Sequence, residues 1–215
     1  MRFVILGAPG SGKGTLAAEI SKEYKIPHIS TGDIFRTNIK IESDLGKEAK
    51  SYIDKGLLVP DNTTVAMIRD RLREDDCKDG FLLDGFPRTV FQAEELERIL
   101  SEQHTSLDCV ILVKVSHDTI KKRVAARRVC TVCGAGYNTK YKPAQKEGIC
   151  DSCSGVLIQR KDDEPETVQI RLNTYEKQTA PLISLYRERD LLVYGDNEQD
   201  YMEAVQQIRA EIEKK

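Results

Sequence analysis

The chain reads as an α/β fold: a parallel sheet flanked by helices and interrupted by two inserts. Three observations predict this. Short apolar runs recur at Arg2–Leu6, Phe81–Leu83, Val110–Val113 and Leu191–Val193, each the length of a buried strand. Between them lie longer, charge-rich stretches with apolar residues every three or four positions, for example Ala93, Leu96, Ile99 and Leu100, the period of a helix packed on one side. A glycine-rich segment, Gly7–Gly14, joins the first apolar run to a helical pattern of Leu16, Ala17, Ile20 and Tyr24. Strands that alternate with helices pair in parallel, because each return passes over the sheet through a helix.

The glycine-rich segment carries the strongest chemical signal. Gly7-Ala-Pro-Gly-Ser-Gly-Lys13-Gly-Thr15 matches G-x-x-x-x-G-K in the strand–loop–helix setting of a phosphate-binding loop. Glycines let several backbone N–H groups turn inward toward phosphate oxygens, and the positive end of the helix dipole adds to that field. Lys13 supplies a point charge for the outer phosphates. Gly14 stands where many such loops carry the Ser or Thr that binds magnesium, with Thr15 one residue later. Other groups must then share that metal.

Two stretches break the strand–helix rhythm. Residues 30–59 read as short polar helices ending on the turn signals Lys55-Gly56 and Val59-Pro60. Residues from about 127 to 159 shift to Gly, Cys, Lys and Pro with little periodicity. A structureless run of that length is uncommon inside a compact domain, and a metal clamp accounts for it. Cys130/Cys133 and Cys150/Cys153 form two C-x-x-C pairs separated by 16 residues, within the spacing of a four-cysteine zinc site. Four thiolates complete a tetrahedron and leave no position for a reacting water, so the metal is expected to be structural; zinc is the expected ion, and iron is the alternative occupant of four thiolates. Cys109 opens an apolar run and reads as a buried thiol, whereas Cys77 lies in a charged stretch and receives no role.

Composition sets further bounds. Thirty-three Lys and Arg against 35 Asp and Glu give a formal charge of −2, so no global pull toward nucleic acid or anionic membrane is expected. No apolar run has the length of a membrane span, and the opening Met1–Leu6 is too short for a signal-peptide core. A cytoplasmic location is expected. His28, His104 and His117 are isolated in the sequence and read as structural or surface groups.

Together with the loop, three further segments make the chain resemble the adenylate kinase family along essentially its whole length. They are Pro27-His-Ile-Ser-Thr31-Gly-Asp33-Ile-Phe-Arg36, Phe81-Leu-Leu-Asp84-Gly-Phe-Pro-Arg88 and Arg160-Lys-Asp-Asp163. The C-terminal Thr179-Ala-Pro-Leu182 agrees with them, and the four-cysteine insert is similar to the long-lid bacterial form. The resemblance implies a five-stranded parallel sheet carried by residues 1–29, 60–126 and 164–215, an AMP-binding insert at 30–59 and a zinc lid at 127–163.

The resemblance also implies roles. Gly10, Ser11, Gly12, Lys13, Gly14, Thr15, Arg123, Arg127, Gly136, Tyr137 and Gln199 would serve ATP. Thr31, Arg36, Leu57, Leu58, Val59, Gly85, Phe86, Pro87, Arg88 and Gln92 would serve AMP, with Arg160 and Arg171 reaching the transferring phosphoryl group. Guanidinium forks suit that task because they grip phosphate bidentately and stay charged. Gln92 offers an amide donor and acceptor that match adenine N6 and N1. Asp84, at the end of an apolar run, can face magnesium or its waters, and Asp33 is a weaker second candidate. The expected partners are ATP, AMP and ADP, with no nucleic acid and no membrane, and a monomer is expected. Direct in-line transfer needs positioning and charge neutralisation by Lys13, Asp84-bound magnesium, Arg88, Arg127, Arg160 and Arg171. Two rivals are a UMP or CMP kinase on the same fold and a P-loop ATPase whose zinc ribbon binds nucleic acid. The first conflicts with the long insert, Thr31 and Gln92, and the second leaves Arg36, Arg88 and Asp84 unexplained.

Overall fold

A computed structural model describes residues 1–215. Its centre is a five-stranded parallel sheet formed by β1 (Arg2–Leu6), β2 (His28–Ser30), β3 (Phe81–Asp84), β4 (Cys109–Lys114) and β8 (Leu192–Asp196), in the order β2-β3-β1-β4-β8. The apolar runs are continuous because both faces are covered. Val4 and Leu6 of β1 pack with Leu83, Val110 and Leu112 against α4 (Asp61–Arg71), α5 (Val90–Glu102) and α8 (Pro181–Glu188). The alternate residues Phe3 and Ile5 pack with Leu82, Ile111 and Val193 against α1 (Lys13–Tyr24) and α9 (Tyr201–Ile212). A one-residue slip would exchange these sets.

The strand β2 was not expected from the sequence. Three residues are too few to show a period, and only the register His28↔Leu82, Ile29↔Leu83 and Ser30↔Asp84 defines it. The segment after it holds two short helices, α2 (Thr31–Lys40) and α3 (Asp44–Ile53), as the polar composition predicts. Each has a serine N-cap: Ser30 Oγ accepts from Asp33 N at 3.2 Å, and Ser43 Oγ from Gly46 N at 3.0 Å. Such caps satisfy donors that the first turn leaves free. The two helices cross so closely that a Cβ on Gly46 would lie 2.1 Å from Asn38 O.

The second insert is not structureless. Following α6 (His117–Ala125), the strands β5 (Arg127–Cys130), β6 (Gly136–Asn138) and β7 (Leu157–Ile158) form a small antiparallel sheet in the order β6-β5-β7. Its own apolar core is small, with Cys130, Tyr137 and Cys150 buried and Ala135, Ala144 and Leu157 partly buried against them. The chain then returns through a 3₁₀ turn at Lys161–Asp163, α7 (Pro165–Thr174) and a π-helical turn at Tyr175–Thr179. Pro165 at the start of α7 suits a position whose N–H has no helical partner.

Candidate active site

The cleft opens at the carboxyl ends of β1 and β3, where ligands bind in open α/β sheets. Between β1 and α1 the chain makes the predicted loop. Gly12 caps α1 in a left-handed conformation (φ 86°) with no side-chain partner for the first turn. The N–H groups of Gly10, Gly12, Lys13 and Gly14 donate to no backbone carbonyl, whereas Ser11 N is tied to Ala8 O at 3.1 Å. These free donors at a helix N-terminus make an anion cradle. Lys13 reaches Ala8 O at 3.4 Å, and burial lowers its pKa to about 8.

Asp84 ends β3 beside this loop, and a Cβ on Gly14 would stand 3.5 Å from its Oδ2. The carboxylate therefore approaches the position where other loops carry a hydroxyl. Burial alone would raise its pKa, but His28, Lys13 and Arg88 outweigh that effect and lower it. An ionised, hard oxygen donor facing the phosphate cradle fits magnesium. His28 is not isolated in three dimensions. Its Nε2, buried and without a closer partner, lies 3.5 Å from Asp84 Oδ2.

Six cations lie within electrostatic reach of one another here, Lys13, Arg36, Arg88, Arg127, Arg160 and Arg171, and they outnumber the carboxylates Asp33, Asp84, Asp162 and Asp163. Asp163, fully buried, takes a bidentate grip from Arg127, and Arg171 Nη1 bonds Asp162 Oδ2 at 2.7 Å and Asp162 O at 2.9 Å. Arg36 pairs with Asp33 at 2.6 Å. Arg88 and Arg160 are less neutralised. Burial, with the charge of Arg171 next, lowers the Arg88 pKa to about 10; burial and Arg36 do the same for Arg160. Arg160 Nε is buried with no hydrogen-bond partner. An unpaired guanidinium among like charges awaits an anion.

One cleft, about 980 Å³ of open space including its mouth, joins Lys13, Arg88 and Arg171 to Thr31, Arg36, Leu57, Leu58, Val59, Gly85, Pro87 and Gln92. Phe86, between Gly85 and Pro87 of this lining, has its side chain fully buried in the core with Leu83 and Leu96, so it can flank the cleft only by its backbone. Gln92 is buried and already engaged, with Nε2 donating to Asp61 Oδ1 at 2.7 Å and Oε1 accepting from Arg88 N at 2.8 Å. An amide retains one further hydrogen and one further lone pair. Thr31 Oγ1 donates to Gly85 O at 2.9 Å, and Thr179 Oγ1 to Arg88 O at 2.9 Å. Asp61, Thr179 and Tyr175 of the π-helical turn line or brace this site. Sequence reasoning gave them no role: Asp61 and Tyr175 sit in no contiguous motif, and Thr179 entered only as part of the matching Thr179–Leu182 stretch.

On the ATP side, Arg123 lies behind the loop, with Nη1 3.5 Å from Ser11 O, and Gln199 is exposed nearby. Thr15 and Gly14 are exposed on the first turn of α1, while Ser11 is buried. In the lid, Gly136 is exposed, and the Tyr137 side chain turns to the cysteines, its hydroxyl 3.4 Å from Cys150 Sγ.

The four cysteine sulfurs lie within 4.8 Å of one another, at 3.4 Å for Cys130–Cys153 and 3.6 Å for Cys133–Cys150. A tetrahedron of thiolates at zinc–sulfur bonds of about 2.3 Å has edges of about 3.8 Å, close to this spacing. The Tyr137 hydroxyl, with the Ser152 and Cys153 N–H groups, favours the Cys150 thiolate and lowers its pKa to about 6. By contrast, burial pushes Cys109 up to about 12, an inert thiol.

A glycine-rich cradle on a parallel sheet, with arginines around one nucleotide-sized cleft, defines a P-loop kinase. A family model described as adenylate kinase matches residues 5–191. The chain is 57% identical over 193 residues to the adenylate kinase of Acetivibrio thermocellus, covering 90% of this chain and 89% of that protein. It is 54% identical over 200 residues to that of Caldicellulosiruptor bescii (92% and 93% covered), and 51% identical over 213 residues to that of Clostridium novyi (99% of each). The chain belongs to the adenylate kinase family. Its activity is the phosphoryl transfer that converts ATP and AMP into two ADP.

Proposed function

We propose that the transfer is direct and in line, between ATP phosphates held by Gly10–Thr15 and an AMP phosphate gripped by Arg36 and Arg88. The observation that carries this reading is that Lys13, Arg36, Arg88 and Arg171 line one cleft, with Arg127 and Arg160 in electrostatic reach, beside a loop whose N–H groups donate to no backbone carbonyl. Phosphoryl transfer spreads negative charge over the equatorial oxygens, so fixed cations lower the barrier without a covalent intermediate. Lys13, Arg88, Arg127, Arg160 and Arg171 supply them, with Arg123 on the ATP side. Asp162 and Asp163 hold Arg127 and Arg171 in place, so their orientation is set before substrate arrives. Magnesium bound with ATP, held by Asp84 or through water, would neutralise phosphate charge; Asp33 is the weaker candidate.

Thr31 and Gln92, with the backbone of Leu57–Val59 and the Gly85–Arg88 segment, would hold AMP. Gly136, Tyr137 and Gln199 would border ATP, with Tyr137 limited to its backbone because its hydroxyl serves Cys150. Residues 30–59 and 127–163 would close over AMP and ATP and exclude water. Zinc is the expected occupant of the cysteine tetrahedron, in the manner of the long-lid form. A cytoplasmic monomer is proposed; no helix is long and apolar enough to cross a membrane.

The test is a coupled assay with ATP and AMP, GMP, CMP or UMP, with and without magnesium, beside metal analysis of the purified protein. AMP alone should support rapid, magnesium-dependent turnover, with about one zinc bound per four cysteines. Equal rates with UMP or CMP, or ATP hydrolysis that needs no acceptor, would overturn the assignment.

A further inference from the structure

The phosphate loop is held from behind by a residue near the other end of the chain. Asn197 follows β8 in the turn before α9 and is 3% exposed. Its Nδ2 donates to Ser11 O at 2.7 Å, with both groups inside the protein. Its backbone N–H donates to Lys114 O at 3.0 Å, which ties the turn to the end of β4. The neighbouring Glu198 carboxylate accepts from Ser116 N at 2.7 Å, Ser116 Oγ at 2.8 Å and Thr119 Oγ1 at 2.5 Å. Arg123 completes the brace, reaching Ser11 O at 3.5 Å and Glu198 O at 3.3 Å. The turn is thus fixed to both β4 and α6.

The geometry has a chemical consequence. In a planar trans peptide the C=O and N–H point in opposite directions. Drawing Ser11 O back against Asn197 therefore directs the Gly12 N–H away from that turn, and it is one of the loop donors with no backbone acceptor. The amide lies flush on the loop: a Cβ on Gly12 would meet Nδ2 at 2.4 Å. Because Gly12 is a glycine, backbone sterics alone do not choose between this peptide orientation and the reverse. The reverse would aim the Ser11 carbonyl oxygen at the phosphates.

We infer that Asn197 is a positioning residue for ATP, locking the Ser11–Gly12 peptide so that its N–H is preset for a phosphate oxygen. This rests on the reading of Gly7–Thr15 as the ATP cradle. Preset donors bind and stabilise phosphate charge without reorganisation at the moment of reaction.

The test compares the full-length parent with Asn197→Ala, which removes the donor, and Asn197→Asp, which sets a carboxylate oxygen against the Ser11 carbonyl. The readouts are the ATP dissociation constant by calorimetry without magnesium, kcat/KM for ATP, KM for AMP, the Gly12 amide signal in ¹H–¹⁵N spectra, and Tm. Asn197→Ala should weaken ATP binding about tenfold, the scale of one buried hydrogen bond. Asn197→Asp should weaken it further. KM for AMP should stay within about twofold of the parent, since the AMP half of the cleft is untouched, and the Gly12 signal should move before any ligand is added. ATP constants unchanged in Asn197→Ala would overturn the inference whatever happens to Tm, and so would equal losses toward ATP and AMP. Lys13→Met separates the two levels: if it too leaves ATP binding intact, the cradle reading itself fails.

Discussion

Lys13 occupies a position where its own charge is disfavoured. Burial lowers its pKa to about 8, and Arg88, Arg171 and Arg127 add to that, with Asp84 opposing. In the folded free enzyme the ammonium is therefore lost near pH 8, whereas the unfolded chain keeps it until about 10.5. The burial cost is fully present below pH 8, so this residue's contribution makes stability rise between pH 8 and 10.5. Activity moves the other way. kcat/KM for ATP should fall as pH rises through about 8, because it reports the free enzyme, while kcat should fall at higher pH, once bound phosphates restore the proton. Coincident pH profiles for the two parameters would refute this. Asp61 supplies a second test. Its two oxygens hold Gln92 Nε2 at 2.7 Å and Thr89 Oγ1 at 3.0 Å, so Asp61→Ala frees the cleft-lining amide proposed to read AMP. KM for AMP should rise about tenfold, one or two buried hydrogen bonds, with KM for ATP little changed. What the sequence made legible at this scale was contiguous: Gly7–Thr15 reads as a cradle because its neighbours in the chain are its neighbours in space. Asp61 with Gln92, His28 with Asp84 and Asn197 with Ser11 meet only through the fold, and no local pattern announces them. Phe86 shows that a motif position can send its side chain into the core.

Among the elements, the proposed lid would depend most on a group beyond the chain itself, a metal held by Cys130, Cys133, Cys150 and Cys153. Cys130, Tyr137 and Cys150, with Ala135, Ala144 and Leu157 partly buried against them, make up its apolar core, far too little to order residues 127–163 against backbone entropy of about 1–2 kcal/mol per residue. Metal binding by four thiolates supplies free energy on the scale of about 10 kcal/mol in small zinc modules. Stripping the metal with a chelator, or substituting Cys133→Ser, should leave the five-stranded core folded by circular dichroism while exposing 127–163 to proteolysis. ATP affinity should fall more than AMP affinity. A lid that stays protease-resistant without metal would contradict this account. The cysteine spacing made the clamp readable, yet the strands β5, β6 and β7 were not, being two to four residues long in a stretch of Gly, Lys and Pro. β2 was missed for the same reason, since its three residues become a strand only through pairing with β3. The long runs of β1, β3 and β4 were legible because burial on both faces demands continuous apolar sequence.

At the scale of the molecule, the two inserts meet. Lys40, at the end of α2, donates to Thr131 O at 3.3 Å and Val132 O at 3.4 Å, the carbonyls between the first two cysteines of the lid. The contact is exposed, so its direct worth is below about 1 kcal/mol; if the inserts close over substrates as proposed, it should count only in the closed state. The positive charge that would draw a phosphate chain between them is local: the whole chain carries −2, yet Lys13, Arg36, Arg88 and Arg171 line the cleft against Asp162 alone. A ligand with two adenosines joined by a polyphosphate would supply that negative charge and should engage both inserts together. At about 1,000 times its dissociation constant it should stabilise the fold by about 4 kcal/mol, visible as a rise in Tm. Lys40→Met should leave Tm without ligand unchanged, because the core does not use the contact, and should reduce the ligand-dependent part by less than about 1 kcal/mol. A variant that lowers the ligand-free Tm instead would mean that Lys40 belongs to the resting structure and not to the closed state. No change in either quantity would mean that the inserts close independently of each other.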